Sequence, residues 1–215
     1  MGLSHDLRTP LTSINGYIQL LNEMQDETKR AHYVRIIEQS VKRLMEMTDY
    51  FYDLARIETN QKEVELSSLS LSNIVEEIFL AFYEQFEEQK IDIEFPEQLQ
   101  SRQIIADEFM LIRVLQNIVQ NILRYAKTKA VISCQEEGDF LRFTIKNDIK
   151  SDSKVAVEKV FTRFYTEVTS RTNTEASGLG LYLFKKLIEK MNGKMDAELE
   201  GDWFILKIQL PLIRE

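Results

Sequence analysis

Leu3-Ser4-His5-Asp6-Leu7-Arg8-Thr9-Pro10-Leu11-Thr12-Ser13-Ile14-Asn15-Gly16-Tyr17-Ile18-Gln19-Leu20-Leu21 places apolar residues at 3, 7, 11, 14, 18 and 21. Steps of four and three sustained over about three heptads predict one long amphipathic helix with a seam of the coiled-coil kind. The polar stretch Gln25-Asp26-Glu27-Thr28 interrupts the pattern, which resumes through Val34, Ile37, Val41, Leu44, Thr48, Phe51 and Leu54. A second helix should therefore return antiparallel. Tyr17, Leu20, Met24, Ile36, Met45 and Met47 widen the stripe beyond what two helices cover, which favours self-association into a four-helix bundle over a plain hairpin packed on the rest of the chain.

The period changes from about Val64. Leu69 to Gln89 reads as a helix, Ile91 to Phe95 as a strand before Pro96, and Gln103 to Ala106 as a short strand. Asp107 to Ala126 is strongly helical in pattern. Ala130 to Gln135 and Phe140 to Asn147 read as a hairpin turning at Gly138, a helix follows from about Leu179 to Met191, and Lys194 to Leu199 with Trp203 to Leu210 closes the chain. The expected fold is α+β: a long antiparallel helical hairpin, residues 1–62, dimerising into a four-helix bundle, then an α/β sandwich, residues 63–215, with one mixed sheet and helices on one face.

Composition limits the functions available. Seven glycines and three prolines in 215 residues exclude collagen-like and low-complexity chains, and 27 basic against 35 acidic residues give a net charge of −8. That balance argues against nucleic acid as a partner. The one cysteine, Cys134, shares strand parity with Ile132 and reads as a buried inert thiol in a reducing compartment. No run of 18 apolar residues spans a membrane, so the chain reads as soluble, and its opening already in helical phase reads as a piece of a longer protein.

His5 lies off the seam, where a helix histidine is ordinarily a solvated surface residue. Its neighbours add chemistry. Thr9 is one turn on along the same face, and Asp6 is placed to accept from one ring nitrogen and sharpen the nucleophilicity of the other. Pro10 removes the hydrogen bond to the carbonyl of Asp6, so a bend is expected near His5. Asn117 and Asn121 are one turn apart among apolar residues, where two amides need occupants or neighbouring backbone to cap. Gly178-Leu179-Gly180-Leu181 opens a helix, whose bare N–H groups suit phosphate, although glycine before a helix is also ordinary loop. His32 reads as a surface residue.

The string Ser4 to Thr12 resembles the phosphoacceptor box of two-component sensor histidine kinases. Three further boxes follow in order: Asp107 to Ala126 resembles the N box, Val160-Phe161-Thr162-Arg163-Phe164-Tyr165 the F box, and Ser177 to Leu181 the second glycine box. The resemblance implies that His5 accepts phosphate, with Asp6 as general base or orienter and Thr9 placing water for dephosphorylation. It further implies that ATP is the substrate and that Mg²⁺ is bound through Asn121. Asn117 would support Asn121, Arg124 would meet phosphate, and Tyr125 would flank the nucleotide. Phe161, Phe164 and Tyr165 would hinge an ATP lid over residues 150–177, in which Arg163 and Arg171 are candidate contacts. The resemblance implies a homodimer, a response-regulator receiver domain as partner, and the cytoplasmic part of a membrane sensor attached only through segments upstream.

One box departs from the family. An aspartate followed by spaced glycines is usual after the strand matched by Phe140 to Lys146, the carboxylate reading the adenine amino group. Parity with Leu141, Phe143 and Ile145 puts Asn147 there, followed by Asp148 and no glycine. An amide offers a donor as well as an acceptor, which would loosen discrimination between adenine and guanine, and a one-residue shift would give the role to Asp148. A rival of another class is a phosphotransfer or scaffold module whose companion domain has lost ATP binding.

Overall fold

The computed structural model describes residues 3–23, 26–58, 64–95, 103–149, 155–162, 165 and 180–213. The chain divides into two compact units, Met1–Gln61 with Thr162–Gly180, and Lys62–Phe161 with Leu181–Glu215.

In the first unit α1 (Leu3–Glu23) and α2 (Glu27–Glu58) form the antiparallel hairpin. Its turn is built by Asp26, whose carboxylate accepts from the amides of Thr28 (2.9 Å) and Lys29 (3.2 Å), satisfying donors that the first turn of α2 leaves unpaired. Ser13 and Ser40 meet across the helices, with Oγ atoms 3.4 Å apart, and Tyr17 lies against Tyr33 with ring centroids 5.3 Å apart. The helix α1 continues through Pro10, which is buried, as is Met47 on α2. A two-helix hairpin buries only one narrow stripe. Leu7, Ile14 and Leu21 are half-buried, while Leu11, Ile18, Val34, Val41 and Met45 are exposed.

The second unit begins differently from the expected single helix over Leu69 to Gln89. Ser67–Ser70 is strand β1, and the helix is two: α3 (Leu71–Ala81) and α4 (Tyr83–Gln89), broken at Phe82. Ser70 caps α3 by accepting from the Asn73 amide. The break alters the inward face. Val75, Ile78 and Phe79 are buried on α3, and Phe86 on α4 stacks on Phe79 at 6.0 Å while Phe95 meets Phe79 edge-on at 5.3 Å. Strand β2 (Asp92–Glu94) follows.

There are two sheets where one was expected. The strand β1 pairs antiparallel with β3 (Gln103–Ala106), Leu69 opposite Ile104. The larger sheet has the order β2-β4-β5-β7-β6, and it is mixed as expected: β2 runs parallel to β4 (Ala126–Glu137), whereas β4, β5 (Phe140–Ile149), β7 (Trp203–Pro211) and β6 (Lys194–Glu200) are antiparallel neighbours. The two hairpin turns place Gly138 and Gly201 at φ +60° and +59°, a region that costs other residues Cβ contacts. One face of the sheet carries Ala130, Ile132, Leu141, Phe143, Ile145, Leu206, Ile208 and Met195, all buried. Against it lie α5 (Glu108–Tyr125), through Leu111, Val114, Leu115, Ile118, Val119 and Ile122, and α6 (Gly180–Lys190), through Leu183, Phe184, Leu187 and Ile188.

No helix among the described residues is long and apolar enough to cross a membrane.

Candidate active site

Helix α5 is fixed first at its start. Asp107 is its N-cap: one carboxylate oxygen accepts from the Met110 amide at 3.0 Å, and the other accepts from the Glu65 amide at 3.0 Å. Its own amide lies 3.4 Å from the Met191 sulfur at the end of α6, so this one buried residue ties together the chain before β1 and α5 through its carboxylate, and α6 through its backbone. The sequence reading counted Asp107 as the first residue of the helix and missed this role. An acidic residue just ahead of an apolar-periodic run was the available signal.

At the other end α5 enters β4 with no loop. Tyr125 is the last helical residue and Ala126 already pairs with Ile149, earlier than the expected strand start at Ala130. Asn147 is therefore two residues from the partner of Ala126, and Asp148 pairs with Trp203 on the far side. Helix α6 turns into Lys194, which pairs with Gln209 opposite Arg142, so its C-terminus lies at the opposite end of the sheet. Eleven residues span about 16 Å, which carries its first turn back toward Asn147. The C-terminal turns of α5, the end of β5 and the first turn of α6 from Leu181 thus share one end of the domain, and Asn121, Arg124, Tyr125, Asn147 and Leu181 belong to that end.

The two asparagines of α5 differ. Asn117 turns its Nδ2 back on its own helix and donates to the Arg113 carbonyl at 2.9 Å. The side chain of Asn121, half-buried, makes no hydrogen bond among the described residues. Its amide oxygen is thus available to a hard cation, and Asn117 is engaged in the backbone-capping arrangement that its spacing also allowed. Among the described residues no group of three His, Cys, Asp or Glu side chains could hold a metal by itself. A single amide oxygen completed by phosphate and water fits Mg²⁺, which takes few protein ligands.

Asn147 is buried at the end of the inner row of β5, in line with Leu141, Phe143 and Ile145, and Asp148 is on the opposite face. The amide of Asn147 is oriented: Nδ2 donates to the Asp148 carbonyl at 3.1 Å. One of the two N–H donors of Nδ2 is therefore engaged. Asp148 occupies a bulge. Between the pairs Ala126↔Ile149 and Ala130↔Asn147, residues 127–129 oppose the single residue 148. The carboxylate of Asp148 accepts from the amides of Lys127 (3.1 Å), Thr128 (2.9 Å) and Lys129 (2.8 Å) and from the Thr128 hydroxyl (2.6 Å). Partial burial pushes its carboxyl upward, but the Thr128 hydroxyl and these amides outweigh that and hold it below the usual carboxylate range.

The half-buried Phe161, in the F-box segment, lies under the Lys185 ammonium, 4.5 Å from the ring centroid, and Lys185 also approaches Asp196 at 3.6 Å. Sequence reasoning did not single out Lys185. Tyr165 is half-buried. Cys134 is half-buried, not buried as expected, and desolvation pushes its thiol up to about 11. On the hairpin, His5 and Asp6 belong to the first turns of α1 with side chains outside the described residues, Thr9 is exposed, and His32 is exposed. Arg163, Phe164, Arg171, Gly178 and Leu179 also fall outside the described residues.

Two family models match. Residues 1–60 match the His Kinase A (phospho-acceptor) domain, and residues 106–212 match the histidine kinase-, DNA gyrase B- and HSP90-like ATPase. Over 204 residues, 91% of this chain, the sequence is 32% identical to the sensor histidine kinase YcbM of Bacillus subtilis (strain 168), and it spans 65% of that protein's length. Histidine kinase AdeS of Acinetobacter baumannii shares the fold at a TM-score of 0.76 and 21% identity, with 98% of each chain covered. Histidine kinase ThkA, solved in complex with the response regulator protein TrrA, shares it at 0.73 and 22% identity, over 98% of this chain and 60% of that one. A phospho-acceptor hairpin joined to an ATPase-type sandwich defines the kinase core of two-component sensor kinases. The chain belongs to the sensor histidine kinase family.

Proposed function

We propose that the chain binds Mg·ATP at the Asn121–Asn147 end of the sandwich and transfers the γ-phosphoryl group to His5. What supports this reading is the placement at one end of the sandwich of the Asn121 amide on α5, whose side chain has no hydrogen-bond partner among the described residues, the oriented Asn147 amide on β5 and the start of α6. Asn147 receives the adenine amino group, Tyr125 flanks the base, and Arg124 with the α6 amides meets phosphate charge. Arg163 and Phe164 belong to the lid side of the nucleotide. Mg²⁺, when bound through Asn121, neutralises phosphate oxygens and orients the transfer. At His5 one ring nitrogen attacks the γ-phosphorus, the bond to the β-phosphate oxygen breaks and ADP leaves, while the proton on the other nitrogen passes to Asp6. The phosphohistidine then passes the group to an aspartate of a response-regulator receiver domain, a partner class that ThkA has in its complex with TrrA. Thr9 positions water for the reverse, dephosphorylating activity.

The exposed apolar flank of the hairpin, Leu11, Ile18, Val34, Val41 and Met45, supports a homodimer in which two hairpins close a four-helix bundle. The boundary between the two parts falls at residues 62 and 63. The reaction belongs to the cytoplasm, where ATP is supplied, in a sensor attached to the membrane through segments outside this chain.

Incubation with γ-labelled ATP and Mg²⁺ tests the reading: the label should be acid-labile, base-stable and absent in His5→Gln. Thr9→Ala should retain labelling and slow dephosphorylation of the regulator; equal loss of both activities would make Thr9 structural. A chain that shows no thermal stabilisation by Mg·ATP yet accepts phosphate from a phosphorylated receiver domain would instead be the relay or scaffold module.

A further inference from the structure

We propose that Asp148 is a positioning residue that makes this site select adenine over guanine by fixing the orientation of the Asn147 amide. The inference rests on the nucleotide reading above and deepens it.

An asparagine in place of a carboxylate is chemically ambiguous, because rotation by half a turn exchanges acceptor for donor. Adenine presents an amino donor where guanine presents a carbonyl acceptor. An amide free to rotate would accept both bases. Here it is not free. A carbonyl oxygen only accepts, so the group facing the Asp148 carbonyl has to be Nδ2; one of its two N–H groups is held there, and Oδ1 is the acceptor this reading assigns to the base. Through its side chain Asn147 makes no other hydrogen bond among the described residues. It is 6% exposed, so reversing the amide would set Oδ1 against a carbonyl in a setting with little water to relieve the repulsion.

The orientation holds only if the Asp148 carbonyl stays in place, and the bulge secures it. Three consecutive residues, 127–129, face one residue of β5, so they lack one-to-one ladder partners on that strand. The Asp148 carboxylate accepts from all three amides, together with the Thr128 hydroxyl. On the other side the Ile149 amide donates to the Asp202 carbonyl at 2.8 Å, and Asp148 pairs with Trp203. The peptide unit that orients Asn147 is therefore anchored on both sides of β5. The same contacts show why Asp148 does not read the base itself: its side chain is on the outer face and fully engaged.

Calorimetric titration of the whole chain with Mg·ATP, Mg·GTP and the Mg²⁺ complex of purine riboside triphosphate, which lacks the amino group, tests this. The wild type should bind ATP at least about tenfold more tightly than GTP and about two- to tenfold more tightly than the amino-free analogue, the range of one neutral hydrogen bond. Asp148→Ala should reduce the ATP-to-GTP ratio by at least about fivefold, since its effect falls on the orientation of a neighbouring acceptor. Asp148→Asn, which keeps one acceptor oxygen for the bulge amides, should recover part of the ratio. Asn147→Asp, with acceptors on both sides, should retain a ratio at least as high as the wild type. A ratio unchanged in Asp148→Ala, or a wild type that binds ATP and GTP alike, overturns the inference while leaving ATP binding intact. A wild type that binds none of the three overturns the nucleotide reading and the inference with it. Should Asp148→Ala not fold, the analogue comparison on the wild type decides: equal affinity for ATP and the amino-free analogue refutes an acceptor aimed at the base.

Discussion

Gly193→Ala should be among the most damaging single-methyl additions in the sandwich. Helix α6 ends at Lys190, and the chain leaves it through Asn192 in the left-handed region at φ +58°. The Gly193 amide then donates back to the Ile188 carbonyl at 2.9 Å, the six-to-one bond of a Schellman ending. The positive φ thus falls on asparagine, and the glycine is needed for a different reason. A Cβ at 193 would stand 2.4 Å from the Gln209 carbonyl oxygen, 2.8 Å from Ile188 Cγ2 and 3.1 Å from the Ile188 carbonyl oxygen. The methyl of Ile188 can yield, but Gln209 sits in β7, paired with Arg142 on one side and Lys194 on the other, so its carbonyl moves only if two ladders distort. Overpacking costs about 1–3 kcal/mol, and a backbone obstacle on both ladders places this case at about 3. For a domain of this size that lowers Tm by roughly 6–12 °C. The fluorescence of Trp203, the only tryptophan and a residue of β7, follows the unfolding of this sheet. Gly138→Ala is the control: φ is +60° but a Cβ there meets nothing within 4 Å, so only the left-handed cost of about 1–2 kcal/mol applies. A Gly193→Ala midpoint within 2 °C of the wild type on that roughly 6–12 °C scale, or a larger loss in Gly138→Ala, would refute the reasoning.

His5→Gln should abolish phosphate incorporation and leave ATP affinity unchanged; label that persists in the variant would remove His5 as the acceptor. Asn121→Ala should cost about tenfold or more in ATP affinity with Mg²⁺ and little in EDTA, because only the cation contact is lost; equal losses in both buffers would mean that the side chain supports the fold. Asp148 has its carboxyl held below its unfolded value, so its contribution to stability is present above pH ~4 and is lost as pH falls through the folded value. Asp148→Ala should therefore be less stable than the wild type by about 1 kcal/mol at pH 7, the low end for charge-assisted bonds because the clamp is partly solvated, with the difference closing under acid. A stability gap that is independent of pH would place the effect outside the carboxylate.

The parts of the fold that are legible in the sequence are those where burial imposes a period. The α1 seam, α5 and the strands after Gly138 and Gly201 have one buried face, and a buried face writes itself into every second or every third and fourth residue. Ser67–Ser70 escaped because three serines and a leucine carry no such alternation; the strand exists through its pairing with β3, a long-range fact. The break at Phe82 escaped for the opposite reason, since Phe82 and Phe86 continue a helical spacing that the aromatic cluster of Phe79, Phe86 and Phe95 overrides. At the site, strand parity was enough to put Asn147 on the inner row. The unequal engagement of Asn117 and Asn121, and the bulge that Asp148 fills, depend on which carbonyl or amide happens to be opposite, and no local pattern encodes that.

The departure at Asn147 and the absence of glycines after it have one physical account. A glycine-rich turn lets backbone approach a ligand closely by removing side chains, whereas this chain extends β5 through Asp148 and Ile149 and places a bulge on β4 instead. A carboxylate at 147 would then face the Asp148 carbonyl, where Nδ2 now donates, with a second carboxylate one residue away. Two adjacent like charges and a carbonyl opposite an oxygen would both disfavour the ionised form on a row that is otherwise apolar. The amide resolves the conflict: it gives one N–H to the carbonyl and keeps an uncharged acceptor. What is lost is the charge on that acceptor, the difference between about 1.5–3 and about 0.5–1.5 kcal/mol for a single hydrogen bond. The negative charge one residue on, at Asp148, is spent on the backbone amides of the bulge. Asn147 and Asp148 thus divide between them two tasks, presenting an acceptor and holding the strand end, and each residue type suits the face of the sheet on which it stands.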